Sequence, residues 1–373
     1  MAAAEIFANP MKHLVSRRGA RGPDPLAFHR RLPGYAPTPL VAAPDLAQEL
    51  GLRRLWVKVE SSRLGLPAFK MLGASWATYR ALCDRLGAEP EWTTLDDLRV
   101  ALVPLGLLRL VAATDGNHGR AVARTAKLLG YGAGIYVPEG TAAARIEAIE
   151  SEGASVTVVA GSYDDAVALS AKAAAADVLV ISDTSWEGYT EVPRWVIDGY
   201  STIFAELDKQ LDGATPDVAF AQMGVGALAA AVVDRYESST SIVAVEPLSA
   251  ACGLRSAEAG EPTHVPGPHD SIMAGLNCGN VSVLAWPTLA AGVDAFVAVD
   301  DAAAERAVRD LDGIDIVAGE TGGAGLAGLR ALVEAGPSAG GVDLAGKAVL
   351  TICTEGATDP VAYERITGHP PRG

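Results

Sequence analysis

Short apolar runs and stretches of helical spacing alternate along most of this chain. The apolar runs predict strands at 55–60, 107–113, 134–137, 156–160, 178–182, 218–222, 242–246, 296–299 and 348–353. Helical spacing predicts helices at 43–50, 71–86, 119–129, 141–152, 163–176, 193–211, 227–236, 250–260, 302–311 and 325–334. Gly87, Gly130 and Gly153 close three of these helices, and Pro193 opens another, where proline is tolerated. Strands alternating with amphipathic helices indicate an α/β fold, its parallel sheets covered by helices on both faces. Residues 1–36 are rich in proline, arginine and glycine and read as an irregular arm. Residues 261–289 read as loop. Glu89-Pro90-Glu91 reads as a surface connection near a domain boundary.

Length and composition narrow the picture. A chain of 373 residues is long for one core and predicts one large or two medium domains. Hydrophobic residues make up 49%, which argues against disorder. No run approaches the ~20 apolar residues of a membrane span; Arg109 interrupts even Ala101–Ala113. Met1–Pro10 carries Glu5 and has no basic region before an apolar core, so the expected location is cytoplasmic. A net charge of −15 argues against nucleic acid as a partner. Cys83, Cys252, Cys278 and Cys353 form no C-x-x-C pair, and no His/Cys cluster has zinc spacing, so no structural metal is expected. Whether Cys252 and Cys278, at the two ends of one long loop, meet in space is open at this level.

Candidate chemistry centres on Lys70, between Phe69 and Met71. Shielding from water disfavours an ammonium and favours the neutral amine, the nucleophile that forms Schiff bases with carbonyl compounds. Taken alone, such a lysine is more often one whose stem covers apolar surface while its head reaches solvent. Thr114-Asp115-Gly116-Asn117-His118-Gly119 stands between a predicted strand and helix. Its glycines let backbone amides approach an anion at a helix start; Asn117 can donate to a phenolate, and Asp115 is an acid/base candidate. An Asx-type turn with an N-cap explains it about as well. Gln222-Met223-Gly224-Val225-Gly226-Ala227 again leads from strand to helix and suits a phosphate. Ala229 breaks a full G-x-G-x-x-G, so a dinucleotide fold is disfavoured.

Three further stretches carry weaker signals. In Ser182–Tyr189, Asp183 could orient an amine or merely cap a turn over Trp186. Cys353-Thr354-Glu355-Gly356 places a thiol or hydroxyl where it could meet a pyridine nitrogen, though Cys353 also reads as a small buried hydrophobe. Gly319–Gly325 is functional or a tight start to a helix. Gly336-Pro337-Ser338-Ala339-Gly340 matches G-x-S-x-G in letters but follows a helix, so it reads as a loop.

In this order the pieces resemble the fold-type-II pyridoxal-phosphate enzymes, the group of the tryptophan synthase β chain, threonine dehydratase and cysteine synthase. The resemblance spans roughly residues 35–365. Ala68–Gly73, Ala113–Arg120, Asp183–Tyr189, Ile272–Leu276 and Thr354–Gly356 are most similar to the diaminopropionate ammonia-lyases, which carry aspartate where Asp115 stands. The resemblance implies two open, mostly parallel sheets, in a larger cofactor-binding domain (1–82 and 200–373) and a smaller, mobile one (83–199). It implies a Schiff base on Lys70 beside Phe69, a phosphate on Gly224, Val225, Gly226 and Ala227, Asn117 at the ring oxygen, and Cys353 or Thr354 at the ring nitrogen. Lys70, Asp115 and Asp183 become the expected catalytic residues, and Asp115, Gly116, His118 and Asp183 the substrate contacts. The implied reaction is α,β-elimination of ammonia from D- or L-2,3-diaminopropionate by a cytoplasmic homodimer. A β-replacement synthase or a hydroxy-amino-acid dehydratase using the same aminoacrylate is the alternative. A non-catalytic amino-acid sensor stands further off, because Lys70 is retained. Cys353, where the subgroup often has serine, Asn277, Gly279-Asn280-Val281 and a short N-terminal arm depart from the pattern.

Overall fold

The computed structural model describes residues 4–12, 23–114, 116–236, 239–336 and 339–372. Among them are eleven strands: β1 (Ala4–Ala8), β2 (Leu40–Ala42), β3 (Arg54–Val59), β4 (Arg109–Ala113), β5 (Gly132–Pro138), β6 (Ser155–Val159), β7 (Val178–Val180), β8 (Val218–Gln222), β9 (Ser241–Pro247), β10 (Ala295–Val299) and β11 (Ala348–Cys353). A seven-stranded sheet has the order β1-β10-β9-β8-β11-β3-β2, and a four-stranded sheet the order β6-β5-β4-β7. Only the outermost pairs of the larger sheet, β1 with β10 and β2 with β3, are antiparallel. The expected α/β class with two mostly parallel sheets is therefore the one found. Every residue of β8, β10 and β11 is buried, as expected for strands covered on both faces. Phe220, Val243, Val245, Val297, Leu329 and Val349 lie in the core of the larger sheet.

The chain divides into two compact units. The first comprises Met1–Arg21, Pro37–Ser62 and Ile203–Gly373 and carries the seven-stranded sheet; the second comprises Gly22–Ala36 and Arg63–Thr202 and carries the four-stranded sheet. These bounds differ from the expected 1–82 with 200–373 and 83–199. The reason is the helix Lys70–Leu86, which packs within the second unit against the helices Asn117–Leu129 and Glu191–Gly199. The segment 22–36 follows it. Phe28 stacks on Tyr79 with ring centroids 4.7 Å apart, and the buried His29 ring is bonded to Leu72 O at 3.0 Å and Thr202 Oγ1 at 2.7 Å.

Several elements differ from the predicted ones. The helix expected over 193–211 is two helices, Glu191–Gly199 and Ser201–Gln210. Gly199 sits at the break, where a Cβ would lie 2.6 Å from Leu72 O. The N-terminal arm is not irregular throughout: β1 pairs with β10, and Pro25–His29 is helical. Leu95–Leu102, Trp286–Gly292 and Pro360–Thr367 are helices with no predicted counterpart. The first is set by a reciprocal cap between Thr94 and Asp97, and the last by Asp359, which accepts from Val361 N and Ala362 N. Pro337 and Ser338, in the stretch read as a loop, lie outside the described residues. No helix among the described residues is long and apolar enough to cross a membrane.

Candidate active site

In the second unit, Lys70 is the first residue of the helix Lys70–Leu86, with Phe69 as its N-cap. Two glycines let that helix pack closely against the helix Glu191–Gly199. A Cβ on Gly73 would lie 2.6 Å from a Tyr200 ring carbon, much as one on Gly199 would strike Leu72 O. Side chains larger than hydrogen are excluded at both positions, so the two helices approach backbone to backbone. Phe69 is buried against Tyr200, ring centroids 4.7 Å apart. The Lys70 side chain is 19% exposed, the partial shielding its apolar neighbours predict.

Lys70 Nζ donates to Asp183 Oδ2 at 2.6 Å. Asp183 follows β7 and is buried, and Tyr163 Oη donates to its other oxygen, Oδ1, at 3.1 Å. His118 is buried beside them. Its Nε2 faces the carbonyl oxygen of Ile181 at 2.8 Å, so Nε2 carries the proton, and Nδ1 stands 3.9 Å from Asp183 Oδ2. Burial alone would raise the Asp183 carboxyl. The charge of Lys70, the His118 ring and the hydrogen bonds from Lys70 and Tyr163 outweigh it and hold the group well below the usual carboxylate range. Asp183 is thus an ionised partner of the Lys70 ammonium rather than a cap over Trp186. That tryptophan stacks instead on Tyr189, centroids 4.1 Å apart. Gly116 N donates to Thr114 Oγ1 at 2.9 Å, and Asn117 begins the helix Asn117–Leu129. Asp115, expected to act with Lys70, lies outside the described residues.

The first unit carries the other predicted residues. Gly224, Val225 and Gly226 join β8 to the helix Ala227–Tyr236. Gly226 has φ +99°, a conformation that favours glycine, and a Cβ there would also crowd Leu289 Cδ1 at 2.6 Å. The first amides of a helix have no acceptor within it, and its N-terminal end favours an anion. Cys353 closes β11 and is buried, which pushes its thiol up and keeps it neutral. Its Sγ donates to Glu355 O at 3.4 Å, and Thr354 Oγ1 to Thr321 O at 3.4 Å. Gln222 Nε2 donates to Ile352 O at 2.6 Å and Gly322 O at 3.1 Å, tying β8 to β11 and to the helix Glu320–Ala335. The Gly319–Gly325 stretch is a tight helix start: a Cβ on Gly322 would lie 2.3 Å from Glu355 O. All four cysteines are free thiols.

The geometry therefore brings Lys70, His118 and Asp183 together, and puts Gly116 and Asn117 in the turn that carries His118. Sequence reasoning missed Tyr163 and Tyr200. Gly161-Ser162 and Asp165 mark a helix start around Tyr163, but nothing local shows where its hydroxyl points.

The family model of the pyridoxal-phosphate dependent enzymes matches residues 31–355. The chain belongs to this family. It is 39% identical over 357 residues to the diaminopropionate ammonia-lyase of Escherichia coli K12, covering 91% of this chain and 89% of that protein. The crystal structure of the Escherichia coli enzyme in complex with D-serine superposes with a TM-score of 0.89 at 34% identity, over 98% of this chain and 97% of that one. The same enzyme in complex with an aminoacrylate-PLP azomethine reaction intermediate gives a TM-score of 0.87 at 33% identity, over the same shares.

Proposed function

We propose that the chain is an ammonia-lyase that binds pyridoxal phosphate and eliminates ammonia from 2,3-diaminopropionate, the released aminoacrylate taking up one water to give pyruvate and a second ammonia. The observation that carries this reading is the Lys70–Asp183 pair: a shielded lysine amine 2.6 Å from a buried, ionised carboxylate. The first serves the cofactor's carbonyl and the second an amine on the substrate. Similarity to the diaminopropionate ammonia-lyases over nine-tenths of the chain supports the same substrate.

The residues present fit the cofactor. Glycine-favouring backbone at Gly226 precedes a helix N-terminus suited to a phosphate. The Cys353 thiol is neutral, and by turning from Glu355 O it could donate to a pyridine nitrogen that carries no proton. In this reading Lys70 and Phe69 hold the cofactor's reactive end, Gly224, Val225, Gly226 and Ala227 its phosphate, Asn117 its ring oxygen, and Cys353 or Thr354 its ring nitrogen. Bound pyridoxal phosphate supplies the acidity of the substrate's Cα–H. Lys70 takes that proton for one enantiomer. Asp115 serves the other enantiomer or gives a proton to the departing β-amine. Asp183 holds that amine, with Gly116 and His118 lining the substrate. We extend the reading to a homodimer acting in the cytoplasm, which sedimentation and cell fractionation test.

A panel of D- and L-β-substituted amino acids, scored for keto acid and ammonia, tests the substrate. Diaminopropionate is expected to exceed serine and threonine in kcat/KM. A preference for the hydroxy amino acids turns the reading into a dehydratase. Loss of keto acid on adding an amine or thiol turns it into a β-replacement synthase.

A further inference from the structure

We propose that Tyr163 is a positioning residue of this reaction: by holding Oδ1 of Asp183 it aims Oδ2 at the substrate's β-ammonium and so sets the preference for diamino acids. The inference rests on the diaminopropionate reading above. Its basis is the separate use of the two carboxylate oxygens, Oδ1 by Tyr163 Oη at 3.1 Å and Oδ2 by Lys70 Nζ at 2.6 Å. A primary ammonium on a methylene is what Lys70 presents to Oδ2, and it is also what the β-position of diaminopropionate presents. With Lys70 engaged by the cofactor, Oδ2 is left to accept from the substrate.

A carboxylate held by one bond can turn about its terminal torsion, which is soft. A second donor on the other oxygen stops that rotation. Tyr163 suits the task because its phenol donates without carrying charge. An arginine or lysine there would neutralise Asp183 and weaken its hold on an ammonium. The backbone that carries Tyr163 is itself fixed. Ser162 caps the helix Tyr163–Lys172, with Asp165 N donating to Ser162 Oγ at 3.3 Å and Ser162 N to Asp165 Oδ2 at 2.7 Å. His118 contributes less to aim, since its Nδ1 is 3.9 Å from Oδ2 and its Nε2 is spent on Ile181 O.

The test is Tyr163→Phe, which removes one hydroxyl and keeps the ring. A hydrogen bond to a charged group is worth roughly tenfold or more in an equilibrium or rate. kcat/KM for 2,3-diaminopropionate is expected to fall by about that factor, while kcat/KM for β-chloroalanine, which has no β-amine, stays within about twofold. Binding to the cofactor-loaded enzyme gives a readout without turnover. α-Methyl-2,3-diaminopropionate has no Cα–H and is expected to bind roughly tenfold more weakly to Tyr163→Phe, whereas α-methylalanine is unaffected. In an Asp183→Asn background the same change is expected to add no further loss. Equal weakening of both ligands, no weakening of either, or an undiminished further loss in the Asp183→Asn background overturns the inference. So does a Tyr163→Phe protein whose melting temperature falls together with its β-chloroalanine activity. Wild-type enzyme that eliminates from β-chloroalanine but not from diaminopropionate defeats instead the substrate reading on which the inference stands.

Discussion

At the scale of single residues, the site is a lysine and an aspartate that each need the other's surroundings. Lys70 is partly shielded and Asp183 is buried, and neither charge is left unmatched. Replacing Lys70 with Ala is expected to abolish the cofactor's bound absorbance and lower turnover by about 10²–10⁴-fold, the range of positioned acid–base groups. Absorbance spectra and keto-acid release on the purified variant check it; full turnover without Lys70 removes its role as base. Asp183 makes a prediction about pH. Its carboxyl is held below the ordinary range in the folded protein, so the stability it adds is present above the unfolded value of ~3.9 and lost as pH falls below it. In the cofactor-free protein, the unfolding free energy of wild type minus Asp183→Asn should be flat from neutral pH down to about 5 and shrink below ~4. Denaturant titrations across that range measure it. Lys70, His118 and Asp183, which the fold brings together, each sit in a short motif that can be picked out locally. Tyr163 was not legible in this way, because its partner lies 20 residues away and only the fold joins them.

At the scale of elements, glycine contacts decide where the functional groups stand. The turn after β8 depends on Gly226, with its positive φ and its Leu289 neighbour. Gly226→Ala is expected to cost about 1–3 kcal/mol in stability and to weaken cofactor binding, read by thermal unfolding and by cofactor titration. Unchanged affinity would separate this turn from the phosphate. The strand β9 ends near a second titrating group. Glu246 accepts from Gly253 N at 2.7 Å and Leu254 N at 2.8 Å at the start of the helix Cys252–Ala259. Burial nevertheless pushes its carboxyl up to about 7. The folded protein then holds this proton more tightly than the unfolded chain does, so stability declines as pH rises from ~4.3 through about 7. Glu246→Gln is expected to flatten that decline, which chemical denaturation across the window detects. Apolar runs predicted the buried strands well, since β8 and β11 carry the expected bounds, 218–222 and 348–353. The edges were harder to see. β1 and β2 are short and partly exposed, and β1 owes its existence to a partner almost 300 residues away. The close approach of Gly199 to Leu72, beside the break, is a contact that periodicity along one helix does not report.

At the scale of the whole molecule, alternation of strands and helices indicated parallel sheets, and the order of motifs indicated the family. Strand order and the split of the chain into its two units were beyond that pattern, because both depend on which distant segments pack together. The larger unit gathers three pieces of chain and the smaller one two. The proposed reaction takes both amines of one substrate as ammonia and, with one water, leaves one keto acid. Its most direct test is the ratio of ammonia to pyruvate released from 2,3-diaminopropionate by the purified protein supplied with pyridoxal phosphate. Two ammonia per pyruvate is the predicted result. One ammonia per keto acid, or no keto acid at all, contradicts it.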